Sequence, residues 1–142
     1  MVRKSNQNTD EKLIKILEEN SRLSYTKIGK ILGLSEAAIR KKISKLVKKG
    51  IIKKFTVEID WKKIGKNLAI VGFDVIPEYL EKVIDNVKKI ENVKKFYLSS
   101  GDHTFLVELL YKDKDEIKKF VKTLKKIKGV KRVCPSVLVE EL

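Results

Sequence analysis

The sequence predicts an α+β fold: a winged-helix-like helix-turn-helix over residues 1–50, a linker strand over 51–67, and a βαββαβ ferredoxin-like unit over 68–142. Three observations carry that prediction. Apolar residues recur at helical spacing around a glycine-containing turn, the pattern changes to short β-branched and aromatic runs, and the order from Leu68 onward is strand, helix, strand, strand, helix, strand.

Residues 1–8 are polar and without periodicity, and read as a mobile arm. Thr9 stands where a helix N-cap is expected, with Asp10 and Glu11 on the first turn, where the helix dipole favours negative charge. Leu13, Ile14, Ile16 and Leu17 then give an apolar stripe that ends near Asn20. A second helix runs from Ser24 to Leu32 with Ile28, Ile31 and Leu32 on its inner side and Gly33 as a left-handed terminator. After the Gly33–Leu34 turn, Ser35 caps a third helix, with Ile39, Ile43, Leu46 and Val47 facing inward and Gly50 ending it. Ile51 to Ile59 suits a strand acting as a wing or a link.

In the second half, residues 68–76 read as a strand and Pro77 opens a helix to Ile90, in the position that tolerates proline. Strands follow at 93–100 and 104–111, a helix at 113–129 with acids first and lysines last, and a strand from Val130 to the end. Two helices cover one face of such a four-stranded sheet. The other face carries apolar residues and needs a second cover, which implies homodimerisation.

The formal charge of +14 suits a polyanionic partner, nucleic acid or an anionic membrane. No run reaches the length of a membrane span and no apolar stretch follows the first positive charges, so a cytoplasmic protein without membrane contact is expected. The lone Cys134 forms no intrachain disulfide, and in a strand it reads as a small buried residue; His103 alone makes no metal cluster. No cofactor is expected. An abundance of Lys, Glu and Ile with little Met, Cys or Gln fits a thermophilic source, or an AT-rich genome.

Positive charge is densest at the start, with thirteen basic against five acidic residues in the first fifty. Outside the apolar stripe of the third helix, Ala37, Arg40, Lys41, Ser44 and Lys48 share one face at three- and four-residue spacing, with Lys45 beside it. Such a helix suits the major groove of double-stranded DNA. Small residues near its capped start at Ser35 permit close approach, Arg40 and Lys41 reach base edges, and Lys45, Lys48 and Lys49 meet phosphates. The bland alternative is that these lysines only solvate the helix. The glycine turn and the caps, more than the charge, favour the first reading.

Asp10, Leu13, Ile14, Leu17, Asn20 and Arg22, then the Gly33-Leu34-Ser35 turn, Lys42, Ile43 and Leu46, and the Gly50-Ile51-Ile52 exit reproduce a known signature. On these residues the sequence resembles the Lrp/AsnC, or feast/famine, transcription regulators from residue 9 to the end, with Lys42 where that family has arginine. The resemblance implies a sequence-specific DNA-binding regulator, archaeal or thermophilic in origin, that acts on the transcription machinery. It also implies dimers and higher oligomers, an octamer included, with two Ser35 helices in successive major grooves, and an amino-acid effector bound where subunits meet. The family's G-x-x-D loop corresponds to Gly101–Thr104, with Thr104 in place of the aspartate, and Ser136 stands where a threonine is common. An effector pocket of Ser99, Ser100, Gly101, Asp102, Thr104 and Ser136 is one reading, with His103 as a ligand contact or pH-sensitive group, although a histidine in such a loop is more often only exposed. A tight polar hairpin that needs Gly101 for its backbone is the other.

Two further classes are less well supported. An RNA-binding ferredoxin-like module needs aromatics displayed on the central strands, and neither 68–76 nor 104–111 supplies that pattern. An enzyme needs a nucleophile with its base, paired carboxylates or a phosphate-cradling loop, and the glycines here form no such spacing. A small-molecule sensor without DNA activity agrees with the second half but not with the first fifty residues.

Overall fold

The computed structural model describes residues 2–142, with side chains from Asn6 onward. It divides into two compact units, residues 1–58 and 59–142. The first contains α1 (Val2–Glu19), α2 (Tyr25–Leu32) and α3 (Glu36–Lys48). Their common core is Leu13 and Leu17 from α1, Ile28 from α2, and Ile39, Ile43 and Leu46 from α3, with Ile14, Ile16, Leu32 and Leu34 packed around it.

Three expectations for this unit change. The arm expected at residues 1–8 is helical from Val2, with Met1 outside the described residues, so Thr9 lies inside α1 and does not cap it. The run from Val2 to Glu19 contains no proline or glycine and is rich in Arg, Lys, Gln and Glu, so nothing in it stops a helix. Ile31 and Val47, expected inward, are exposed, because Ile28 and Leu46 already fill the core and these two lie at the flank of each stripe. The strand expected at 51–59 does not form: Phe55, Val57 and Ile59 alternate as a strand would, but no neighbouring strand pairs with them and all three are exposed.

The second unit opens with a 3-10 turn at Trp61–Ile64, then β1 (Asn67–Val75), a 3-10 turn at Pro77–Tyr79, α4 (Leu80–Val87), β2 (Val93–Leu98), β3 (Phe105–Tyr111), α5 (Lys114–Lys126) and β4 (Val130–Val137). The strand order is β2-β3-β1-β4, with every neighbouring pair antiparallel. Ala69, Val71 and Phe73 of β1 and Phe105, Val107 and Leu109 of β3 join Val83, Val87, Phe120 and Leu124 of α4 and α5 in the core. Phe73, Phe96 and Phe105 stack within it at centroid distances of 4.8 to 6.3 Å. α5 is capped by Asp113, whose Oδ1 accepts from the amide of Glu116 at 3.0 Å.

The predicted order is therefore present, with α4 shorter than expected and β4 ending at Val137. On the face away from the helices, the register brings Leu106 opposite both Gly72 and Tyr97, and Ile70 opposite Glu108 and Ser136. Cys134 lies on this face opposite Gly72 and is exposed, not buried as expected, because among the described residues of this unit none covers the open side of β4 there.

Candidate functional site

The third helix is fixed at both ends by its own sequence. Ser35 is extended (φ −71°, ψ 158°) and its hydroxyl accepts from the amide of Ala38 at 3.1 Å. Gly50, at φ 72°, follows the C-cap Lys49 in the left-handed region that favours glycine. Between these ends Ile39, Ile43 and Leu46 are buried, which turns Ala37, Arg40, Lys41, Ser44, Lys45 and Lys48 outward. All the DNA-contact residues expected on this helix are thus exposed, with Ser35 at its start.

The turn before α3 is equally determined. Gly33 adopts φ 69°, and the amide of Leu34 donates to the carbonyl of Gly29 at 2.8 Å. A Cβ at Gly29 would lie 2.3 Å from the backbone oxygen of Leu34, so α2 and the turn approach through the space that a glycine leaves. Lys42 does not face outward with its lysine neighbours. Its Nζ lies 3.0 Å from Asp10 Oδ1 and the pair is half-buried, tying α3 to α1. Asn20 Oδ1 accepts from the amide of Arg22 at 3.0 Å and forms the turn out of α1. Asp10, Asn20 and Lys42 therefore hold the helices together and leave base contact to others.

Arg40 is held on two sides by neighbouring side chains. Its Nη2 donates to Glu36 Oε1 at 2.9 Å, and its guanidinium carbon sits 5.0 Å from the ring centroid of Tyr25. Thr26 Oγ1 donates to the other carboxylate oxygen of Glu36 at 3.3 Å. Sequence reading singled out neither Tyr25 nor Glu36. The four-residue spacing of Glu36 and Arg40 was the available signal.

In the second unit, Ser99 to Thr104 link β2 and β3. The amide of Ser99 donates to the carbonyl of Thr104 at 2.8 Å, and Ser99 Oγ accepts from the amide of Gly101 at 3.0 Å. Gly101 is outside the left-handed region and a Cβ there would meet only Ser99 Oγ, at 3.5 Å, so the hairpin does not need glycine for its geometry. The loop is held by two residues that sequence reading missed. Asp74 Oδ1 accepts from the amide of Thr104 at 3.3 Å, and Asp74 Oδ2 accepts from Arg132 Nε at 2.7 Å. Arg132 also bonds the carbonyl and carboxylate of Asp102.

The Arg132 guanidinium holds the Asp74 carboxyl below its ordinary range, and Asp74 in turn raises Arg132. His103 is not an exposed bystander: its side chain is 15% exposed, its ring occupies the space over Gly72, and Nδ1 lies 3.4 Å from Asp74 Oδ1. Ser136 is not brought to this loop. It pairs with Ile70, about 10 Å along β1 from the loop end, and β1 separates β4 from β3. Two cavities, of about 410 and 390 Å³, are lined only by residues of the first unit, and neither contains these loop residues.

Comparison with known proteins matches residues 7–53 to the winged helix-turn-helix DNA-binding family and residues 68–142 to the Lrp/AsnC ligand binding domain. The chain belongs to the Lrp/AsnC family. The HTH-type transcriptional regulator LrpA of Pyrococcus abyssi is 40% identical over 94% of this chain and 96% of its own length. LrpA1 of Halobacterium salinarum is 31% identical over 97% and 99%. The crystal structure of PH0061 superposes with a TM-score of 0.86 at 37% identity, covering 94% of this chain and 93% of that one. As an Lrp/AsnC member, this protein is an HTH-type, DNA-binding transcription regulator with an attached ligand-binding domain, from a family that is oligomeric. No helix among the described residues is long and apolar enough to cross a membrane.

Proposed function

We propose that this Lrp/AsnC regulator reads the major groove of duplex DNA with Ala37, Arg40, Lys41 and Ser44, and neutralises phosphates with Lys45 and Lys48. The observation that carries the reading is the outward basic face of α3, set by a buried stripe and two caps. Ser35 brings the capped start of the helix to the DNA, where exposed backbone amides favour a phosphate. The working unit is a dimer built on the open sheet face of Ile70, Tyr97 and Leu106, which spaces two copies of α3 for successive grooves. Its output depends on where the bound site lies relative to the transcription machinery.

Selection of bound duplexes from a random pool tests this reading. A two-fold-related site is expected, and Arg40→Ala should cost about 1–3 kcal/mol at one base pair of it. Retention of every sequence with equal affinity would overturn the reading.

An amino acid is the effector this reading favours. The support is the match of residues 68–142 to a ligand-binding domain, together with a solved neighbour of the same fold, NMB0573 from Neisseria meningitidis, described as an L-Met complex. Ser99, Ser100, Gly101, Asp102 and Thr104 supply its polar groups, and Ser136 takes part only from another subunit. Calorimetric titration with each standard amino acid should give heat for at least one. No heat with any of them would remove the effector from the proposal.

A further inference from the structure

We infer that Tyr25 and Glu36 are positioning residues that fix the guanidinium of Arg40 for base reading. Sequence preference then depends on a ring and a carboxylate behind the reading group. This inference rests on the assignment of Arg40 to a base edge made above.

Tyr25 and Glu36 are the first residues of α2 and α3, and Arg40 lies one turn beyond Glu36. The ring covers one face of the guanidinium at 5.0 Å, and the carboxylate takes one edge at 2.9 Å. The second carboxylate oxygen accepts from Thr26 at 3.3 Å, so Glu36 is itself held from α2. The guanidinium is thereby restrained on a face and on an edge by the two helices of the helix-turn-helix. An arginine held in advance loses less freedom when it meets a base than one moving among rotamers. One of its five N–H donors is spent on Glu36, which leaves a pair for the O6 and N7 acceptors of guanine.

The side chains of Arg40 and Glu36 are 64% and 54% exposed, and ion pairs so exposed contribute little to folding. Their larger effect is on where the guanidinium points. Glu36 is also an anion on a face that approaches phosphates, so it opposes the sequence-independent part of binding. Neutralising it has two effects of opposite sign: random DNA binds more tightly, and preference at the base read by Arg40 falls. A lesion that merely disturbs the fold weakens both.

The test uses the full chain and the duplex returned by selection, with all four bases placed in turn at the position that Arg40→Ala makes indifferent. Glu36→Gln should lower the preference there about three-fold and tighten binding to a random duplex. Tyr25→Leu, which keeps apolar bulk, should lower the same preference about two- to five-fold, the range of an exposed cation–π contact. Tyr25→Phe, which keeps the ring, should restore it. If Arg40→Ala flattens the preference while Glu36→Gln and Tyr25→Leu leave it intact, the inference is wrong and the reading by Arg40 stands. If Arg40→Ala changes no preference at any position, the assignment of Arg40 itself fails. Should Tyr25→Leu not fold, the opposed signs for Glu36→Gln decide alone.

Discussion

Both oxygens of the Asp74 carboxylate are engaged, one by the amide of Thr104 and the other by the guanidinium of Arg132. The Arg132 bond lowers the pKa of Asp74 in the folded chain, and burial opposes the shift without reversing it. A carboxyl with a depressed folded pKa contributes stability that is fully present above its unfolded value, about pH 4, and is lost as pH falls through the lower folded value. Asp74→Asn should therefore melt below the wild type at neutral pH, and the gap should close in acid below about pH 4. Melting curves across that range check it, and a gap independent of pH would remove the charge from the account. Asp74 was legible only as a lone charge in an apolar strand. Arg132 was not legible, because nothing in Val130–Cys134 announces where a strand takes an extra residue.

The element most completely written in the sequence is α3, with its cap, stripe and terminator all local in origin. Ser35→Ala removes the acceptor for the Ala38 amide and should cost about 1 kcal/mol of stability in the first unit, read by denaturant titration. Gly29 shows the opposite case. A glycine inside a helix ordinarily gains about 1 kcal/mol when replaced by alanine. Here the new Cβ would stand 2.3 Å from the Leu34 oxygen, so Gly29→Ala should destabilise by more than that gain, checked in the same titration. That approach was hidden because it joins a helix to the turn beyond it. The segment at 51–59 failed for a related reason: Phe55, Val57 and Ile59 have strand alternation, but a strand also needs a partner, and alternation does not supply one.

At the scale of the molecule, two units with unlike tasks were visible as a change of rhythm near Leu68, and their combination identified the family. The geometry of the 99–104 hairpin was less visible. It depends on contacts between β1, β4 and a loop far apart in sequence, and Ser136, taken from its place in the family pattern, lies away from that hairpin. Two outcomes belong to the assembled protein. Leu106→Lys, on the open sheet face, should shift sedimentation from dimer toward monomer, and an unchanged profile would move the interface elsewhere. Lys48→Ala should reduce the slope of log affinity against log salt by about one if Lys48 meets a phosphate, measured on matched and random duplexes alike.

The irregularity in β4 lies between pairs Gly72–Cys134 and Asp74–Lys131, so Arg132 and Val133 together oppose Phe73. Arg132 adopts φ 45°, a conformation that costs a residue with a side chain on the order of 1–3 kcal/mol. Removing Arg132 altogether would leave Val133 facing Phe73 and every later pair in its present partnership. The ladder is thus indifferent to this residue, while the hairpin across the sheet depends on it. The extra residue gives the sheet an arm without altering the pairing on either side of it, so loss of Arg132 should free the loop from β4 while the ladder keeps its partners.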